Sequence, residues 1–258
     1  MLTLEKWYAD VVAVDGNLAI AYTARLVTRQ GSLAAASLLT CDAGGRVVGR
    51  TFGRGARVED GDSELRLTHP AGWRGVFTGR CPAFAATLLA EPGGGAVEWE
   101  CRFPAATATV ESGGSSLTGC GYAEKLTVTL EFWRLPIDVL RWGRFVTPES
   151  SVVWLSWEGP QPLTLVLRDG VPVEPATVSE GGVVAGNLEI EITGVTELRS
   201  GRITSTALKP LRALARLVPL RTLGLEETKW RGRGVLRRGG AVVDEGFTIH
   251  EVVRWPRG

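Results

Sequence analysis

The sequence contains few of the residues on which many enzyme active sites depend. It has only two histidines, His69 and His250, and its four cysteines include no C-x-x-C pair. Few residues are therefore available to form a zinc site or a Ser-His-Asp triad. No G-x-S-x-G elbow is present, and the glycine clusters lack the following helix of a phosphate-binding loop. Hydrolase and oxidoreductase chemistry are therefore disfavoured. We expect no metal and no other cofactor, and we expect the cysteines to be buried thiols.

An excess of charge and a long apolar segment are also lacking. The 29 Lys and Arg residues nearly balance the 28 Asp and Glu residues, for a net charge of +1, so nothing indicates a nucleic-acid-binding surface. The apolar runs are far shorter than the ~18 residues of a membrane-spanning helix. We predict a soluble, cytoplasmic protein without a transmembrane segment. An apolar substrate would still allow transient contact with a membrane surface, and the sequence does not indicate an oligomeric state.

Alternating apolar and polar residues, which are typical of β-strands, run through almost the whole chain of 258 residues. Residues 18–27 and 96–103 are examples, and the second stretch places Val97, Trp99, Cys101 and Phe103 on one face. Turn signals such as Gly113-Gly114, Asp169-Gly170 and Gly239-Gly240 recur regularly, which favours antiparallel strands closed into a barrel or sandwich. One short helix is predicted in the second half, over residues 205–217, where leucines recur at intervals of three.

The two halves of the sequence resemble each other weakly. A strand pattern, a Gly-Gly turn and GYAEKLTV in the first half correspond to a strand pattern, a Gly-Gly turn and GFTIHEVV in the second. Residues 132–151 contain two prolines and break the alternation, as a connector would. We therefore predict a duplicated all-β unit, with one domain over residues 1–135 and another over residues 136–258.

The segment from Gly119 to Phe132 places a carboxylate on the more apolar face of a predicted strand. Tyr122, Glu124 and Leu126 share that face, whereas Ala123 and Lys125 share the wetter one. A carboxylate that faces an apolar interior either finds a partner or takes up a proton, and a neutral carboxylic acid in a dry cavity is a proton donor. Two interpretations of Glu124 stay open: a general acid, or one half of a structural ion pair with Arg or Lys.

Three motifs carry a resemblance to a known family: GCGYAEKL at residues 119–126, LPIDVLRWGRF at 135–145 and the opening EKWYADVV at 5–12. Together with the tandem all-β pattern, they are similar to the lipocalin-like superfamily of carotenoid hydratase, tocopherol cyclase and lipocalin-like Diels–Alderases. The resemblance covers nearly the whole chain. It implies two tandem antiparallel β-barrels of the lipocalin (calycin) type and chemistry on apolar polyene or polyketide substrates without a cofactor.

The carotenoid hydratase of that superfamily has a His-x-Trp pair followed by a Tyr-x-Asp pair, to which acid chemistry on an alkene is attributed. In this sequence Trp99 matches the Trp, Tyr122 matches the Tyr, and Glu124 replaces the Asp and keeps the acid. The His falls on Val97, which departs from the pattern and puts hydration of the same substrate in doubt.

The resulting hypothesis is a cyclase or hydratase of secondary metabolism that acts on a hydrophobic isoprenoid, polyene or polyketide-like molecule. Glu124 is the expected general acid and Tyr122 the residue that orients it or relays its proton. The residues expected to contact the substrate are Trp99, Trp142, Tyr22, Val97 and Phe247. A non-catalytic lipocalin-like carrier of a hydrophobic ligand is the alternative, and a structural or interaction module without a cavity is a third.

Overall fold

The computed structural model describes residues 2–131, 135–202 and 224–256, and they form an all-β protein. Contacts divide the chain into two compact units, Met1–Leu135 and Pro136–Gly258. Each unit contains one antiparallel sheet, and the predicted all-β class is therefore confirmed. The helix predicted over residues 205–217 lies outside the described residues. Among the residues described, no helix has the length and apolar character needed to span a membrane.

The sheet of the first unit has ten strands. They are β1 (Thr3–Val12), β2 (Leu18–Thr28), β3 (Gly31–Cys41), β4 (Val47–Phe52), β5 (Arg57–Asp60), β6 (Glu64–His69), β7 (Trp73–Gly79), β8 (Phe84–Ala90), β9 (Ala96–Ser112) and β10 (Ser115–Val128). Their order in the sheet is β4-β3-β2-β1-β10-β9-β7-β6-β5, with β8 paired to β9 beside this path. The first strand thus pairs with the last.

The sheet of the second unit has nine strands. They are β11 (Val139–Val146), β12 (Ser151–Glu158), β13 (Leu163–Arg168), β14 (Val171–Pro172), β15 (Ala176–Val178), β16 (Gly182–Ala185), β17 (Leu188–Arg202), β18 (Glu226–Arg238) and β19 (Ala241–Arg254). Their order is β14-β13-β12-β11-β19-β18-β17-β16-β15. Apart from β8, this is the strand order of the first sheet, with β11 in the place of β1 and β19 in the place of β10.

The turns that the sequence predicted connect neighbouring strands. Gly113 and Gly114 join β9 to β10, and Gly239 and Gly240 join β18 to β19, all with φ between 57° and 86°. Asp169 and Gly170 join β13 to β14 with φ of 50° and 82°. Two successive positive φ values give the two-residue hairpin turn whose twist matches that of the strands, and such turns favour Gly and Asp-Gly.

The prediction of a connector over residues 132–151 is wrong for its central part. Strand β11 occupies residues 139–146 and pairs with both β12 and β19. Its last five residues are all buried, so the strand has no solvated face there and its sequence shows no alternation.

Each unit has its own hydrophobic core on one face of its sheet. The core of the first unit includes Ala9, Ala21, Leu67, Phe77 and Ala123. The core of the second includes Phe145, Trp154, Val166, Ile190 and Leu236.

Candidate active site in the first unit

Polar and aromatic side chains cluster on the face of β1, β2 and β10 opposite the hydrophobic core. Tyr8 of β1 is paired with both Glu124 of β10 and Tyr22 of β2, and Asp10 is paired with Tyr122. Directly paired residues in an antiparallel sheet project to the same face. We call this cluster of Tyr8, Asp10, Tyr22, Tyr122 and Glu124, together with Trp99 and Cys101 of β9, the acid cluster.

The assignment of Ala123 to the wetter face of its strand is wrong. Ala123 is fully buried and belongs to the hydrophobic core, whereas Glu124 on the other face is 6% exposed. Residues 121–124 are all buried, so both faces of β10 are covered at this point. The core face of β10 is therefore the face of Ala123, a small apolar residue between two polar ones. Alternation alone did not identify that face.

The carboxylate of Glu124 accepts two hydrogen bonds on the same oxygen. Trp99 Nε1 donates to Oε2 at 2.7 Å, and the hydroxyl of Tyr122 donates to Oε2 at 2.8 Å. Trp99 is 1% exposed and Tyr122 is fully buried. Both donors are buried and directed at one oxygen of the Glu124 carboxyl group.

A buried thiol lies behind the tyrosine. Cys101 is hydrogen bonded to Tyr122, and burial is the main reason that the pKa of the Cys101 thiol lies well above its usual value. Burial also raises the pKa of Tyr122 well above its usual value, with further contributions from Cys101 and Glu124. Both groups therefore keep their protons at neutral pH. The hydroxyl of Tyr122 is thus hydrogen bonded to both the thiol and Glu124.

A second tyrosine and carboxylate on β1 mirror the first pair. The hydroxyl of Tyr8 donates to Asp10 Oδ2 at 2.7 Å, and Asp10 is fully buried. The ring of Tyr8 lies 5.9 Å from the ring of Tyr122 and 5.0 Å from that of Tyr22. Sequence reasoning missed Tyr8 and Asp10, although Tyr8-Ala9-Asp10 repeats the Tyr-Ala-acid pattern of Tyr122-Ala123-Glu124.

An irregularity in β9 brings Trp99 onto the same face as Glu124. Ala123 pairs with Phe103 and Lys125 pairs with Glu100, so β9 has one more residue than β10 in this interval. The extra residue changes which side chains of β9 project to each face of the sheet. Phe103 consequently lies in the hydrophobic core, whereas Trp99 is hydrogen bonded to Glu124 on the other face. The expectation that Val97, Trp99, Cys101 and Phe103 share one face is therefore wrong for Phe103.

The predicted site residues are divided between the two units. Trp99, Tyr122, Glu124 and Tyr22 meet in the acid cluster, and Val97 is buried two residues from Trp99 on β9, paired with Val128.

Trp142 and Phe247 belong to the second unit, where cations lie beside both rings. The ammonium of Lys229 lies 4.7 Å from the ring of Trp142, and Arg233 lies 4.4 Å from the ring of Phe247. Lys229 is also ion-paired with Glu251.

His250 of the second unit is buried on the core face of its sheet. It is 7% exposed and stacks on Trp230 at 5.3 Å between ring centroids. Burial, with a smaller effect from the positive charge of Lys229, lowers the pKa of His250 from 6.5 to about 4. The imidazole is therefore neutral at physiological pH.

Acid should destabilise the protein through His250. Its folded-state pKa lies below the unfolded value, so the stabilisation is complete above pH 6.5 and is lost as the pH falls toward 4. The loss should reach about 3 kcal/mol over that window. Urea unfolding at a series of pH values measures this effect. The free energy of unfolding should fall less steeply with decreasing pH for His250→Phe than for the wild type. Equal slopes in the two proteins would contradict the prediction.

Comparison with known proteins supports the fold but gives no close relative. No family model and no curated protein matches the sequence. Several solved structures align over nearly the whole chain. CghA crystallised with Sch210972 aligns with a TM-score of 0.63 and 11% identity, over 99% of this chain and 89% of its own.

Two further structures align in the same way. A Nitrosomonas europaea protein provisionally assigned as AttH gives a TM-score of 0.57 and 11% identity, over 99% of this chain and 93% of its own. Kievitone hydratase from Nectria haematococca aligns with a TM-score of 0.55 and 9% identity, over 97% of this chain and 88% of its own. Identities this low establish the fold and nothing finer, and the chain accordingly has the lipocalin-like two-barrel fold that its sequence motifs predicted.

Proposed function

We propose that this protein is a cofactor-free cyclase or hydratase that acts by acid catalysis on a hydrophobic, unsaturated small molecule of the isoprenoid, polyene or polyketide kind. The observation that carries the proposal is the pair of hydrogen bonds from Trp99 and Tyr122 to one oxygen of Glu124. The shared fold with a protein named a hydratase adds support for the reaction class.

Glu124 is the proposed general acid. The carboxyl group of Glu124 carries the proton that the acid delivers. Transfer of that proton to one carbon of a substrate double bond leaves a carbocation on the other carbon and a carboxylate on Glu124. Trp99 and Tyr122 then hold the carboxylate by the two hydrogen bonds already in place, so little reorganisation accompanies the step.

The aromatic rings of the acid cluster would stabilise the cation. Tyr8, Tyr22 and Trp99 are 1–8% exposed, and a ring face attracts a desolvated cation by about 2 kcal/mol. The ammonium of Lys6 already lies 5.3 Å from the ring of Tyr22, so this ring accommodates positive charge.

Asp10 is the proposed base that ends the reaction. In a hydration, a water molecule bonds to the cationic carbon and Asp10 takes the released proton. In a cyclisation, a second double bond attacks the cation and Asp10 removes a proton from the carbon beside the new cation. A pair of buried carboxylates with separate partners, Tyr122 for Glu124 and Tyr8 for Asp10, suits this division of roles.

The test is incubation with a panel of acyclic polyenes and unsaturated polyketides in the presence of EDTA, followed by mass spectrometry. We expect a product that is heavier by one water, or one of unchanged mass with an altered absorption spectrum, and in deuterated water we expect one deuterium at the protonated carbon. Asp10→Asn should stop turnover while ligand still binds. Binding without any conversion across the panel would favour the carrier, and activity that EDTA removes and a divalent ion restores would exclude the cofactor-free mechanism.

A further inference from the structure

The first unit contains a cavity on the core face of its sheet, the face opposite the acid cluster. Its volume is about 520 Å³. Small-molecule pockets commonly have volumes of about 300–1,000 Å³. Apolar side chains from β2, β3, β4, β9 and β10 contribute to its wall: Ala19, Leu38, Val48, Val110 and Leu117. Because Ala19, Leu38 and Val110 also belong to the hydrophobic core, the wall of the cavity is continuous with that core.

Arg50 projects toward this cavity from the edge strand β4. It pairs with Leu38 of β3, and directly paired residues in an antiparallel sheet project to the same face. Val48 pairs with Thr40 in the same way, and Phe52 packs against the core from the same face. Arg50 lines the cavity and is itself exposed, so its side chain is accessible to a molecule that enters from solvent.

The charged side chains around the cavity leave an excess of one positive charge. Among the residues that the structure describes, those that line it are Asp42, Arg46 and Arg50. The carboxylate of Asp42 accepts a hydrogen bond from the backbone N–H of Arg46 at 2.9 Å, within the turn between β3 and β4. This carboxylate offsets one of the two guanidinium groups. Arg50 forms no ion pair with any described residue.

The positive charge is confined to one side of the cavity. It comes from β4 and the turn before it, whereas the described lining residues of β2, β9, β10 and the turn between β9 and β10 have uncharged side chains. A ligand would therefore meet a cation on one side and apolar surface on another. An amphipathic molecule with a single anionic group matches this arrangement, because its charge stays beside the cation while its apolar part leaves water.

We propose that this cavity is a binding site for a molecule with one unbranched hydrocarbon chain and one carboxylate, which is a fatty acid. The carboxylate pairs with the guanidinium group of Arg50, whose planar fork of N–H donors matches a carboxylate. The chain packs against Leu38, Val110 and Leu117. The site lies on the other face of the sheet from the acid cluster, and it does not depend on the reaction proposed there.

Decanoate, used below the concentration at which it forms micelles, is a suitable probe. Isothermal titration calorimetry of the full-length protein should show saturable binding. Octanoate, whose chain is shorter by two carbons, should bind about tenfold more weakly, because less of the chain is buried against the cavity wall. Decanol has the same chain and no charge, and it should bind at least about fivefold more weakly than decanoate because the ion pair is lost.

Two variants test the contacts. Arg50→Met should weaken decanoate binding at least about fivefold and change decanol binding less than about twofold. Arg25→Met is the matched control and should bind decanoate like the wild type: Arg25 is also an exposed arginine of this sheet that forms no ion pair with a described residue, but it does not line the cavity. Val48→Phe should abolish binding of both ligands by filling the cavity from a position that is 42% exposed, where folding is little disturbed.

Four results would overturn the proposal. No saturable binding of decanoate would exclude a site for this class of ligand. Equal affinity for decanoate and decanol would exclude recognition of the carboxylate. Binding that Arg50→Met and Val48→Phe leave unchanged would place the ligand elsewhere on the protein. Tighter binding of decyl phosphate than of decanoate would contradict the match to a single negative charge, because a phosphate monoester carries a charge of about −1.5 to −2 at neutral pH.

Discussion

Glu124→Gln is expected to reduce turnover by at least about 100-fold on any substrate that the wild type converts, because general acid catalysis contributes this much and an amide cannot deliver the proton. Folding should be retained. Glutamine has the same shape, and its side-chain oxygen can still accept the hydrogen bonds that Trp99 and Tyr122 donate in the wild type. Steady-state kinetics and thermal unfolding of the purified variant measure both quantities.

Glu100→Gln is the matched control for this substitution. Glu100 lies on β9 directly after Trp99 and pairs with Lys125 at the surface, so its loss of charge should leave turnover within about twofold of the wild type. A Glu124→Gln variant with full activity would show that Glu124 is not the acid. A variant that does not fold would instead favour a structural ion pair, because breaking a buried pair costs about 3–5 kcal/mol.

Lys229→Met is expected to destabilise the second unit by about 3–5 kcal/mol. The lysine side chain is 1% exposed and its partner Glu251 is 12% exposed, so the substitution leaves a buried carboxylate without this cation. The contact between the ammonium and Trp142 is lost as well. Urea unfolding, together with hydrogen exchange of the amides in β18 and β19, measures the change.

A double variant separates the ion pair from simple packing. Lys229→Met with Glu251→Leu removes both charges, and it should recover most of the stability that the single variant loses. Arg57→Met is the control, since the pair of Arg57 with Glu59 is 77% and 49% exposed and should contribute less than about 1 kcal/mol. A loss at Lys229 no larger than that at Arg57 would contradict the expected effect.

Much of the fold follows from local sequence signals. Positive φ values are costly except for glycine and a few polar residues, so Gly113-Gly114, Asp169-Gly170 and Gly239-Gly240 indicate their hairpins directly. Strand β11 was missed because alternation disappears when both faces are buried. The weak similarity between the halves was informative, because the two sheets share one strand order apart from β8.

The acid cluster was only partly predictable. The alternation of β10 placed Tyr122 and Glu124 on one face. The hydrogen bond with Trp99, however, depends on the extra residue in β9, and no pattern in the sequence indicates that residue. Tyr8 and Asp10 come from the opposite end of the first unit, and only the pairing of its first and last strands brings them beside Tyr122 and Glu124. Pairing over such a distance has no local signal.

The pairing of first with last strands also affects how the chain folds during synthesis. Leu4 pairs with Val128, and Val139 pairs with Arg254, so each sheet is completed only when nearly all of its unit has been made. Until then β1 has a partner on one side only, and its other edge, with Tyr8 and Asp10, is open to incorrect pairing. Contacts this distant in sequence raise the contact order, and high contact order slows folding. The acid cluster is therefore among the last parts of the first unit to form on the ribosome.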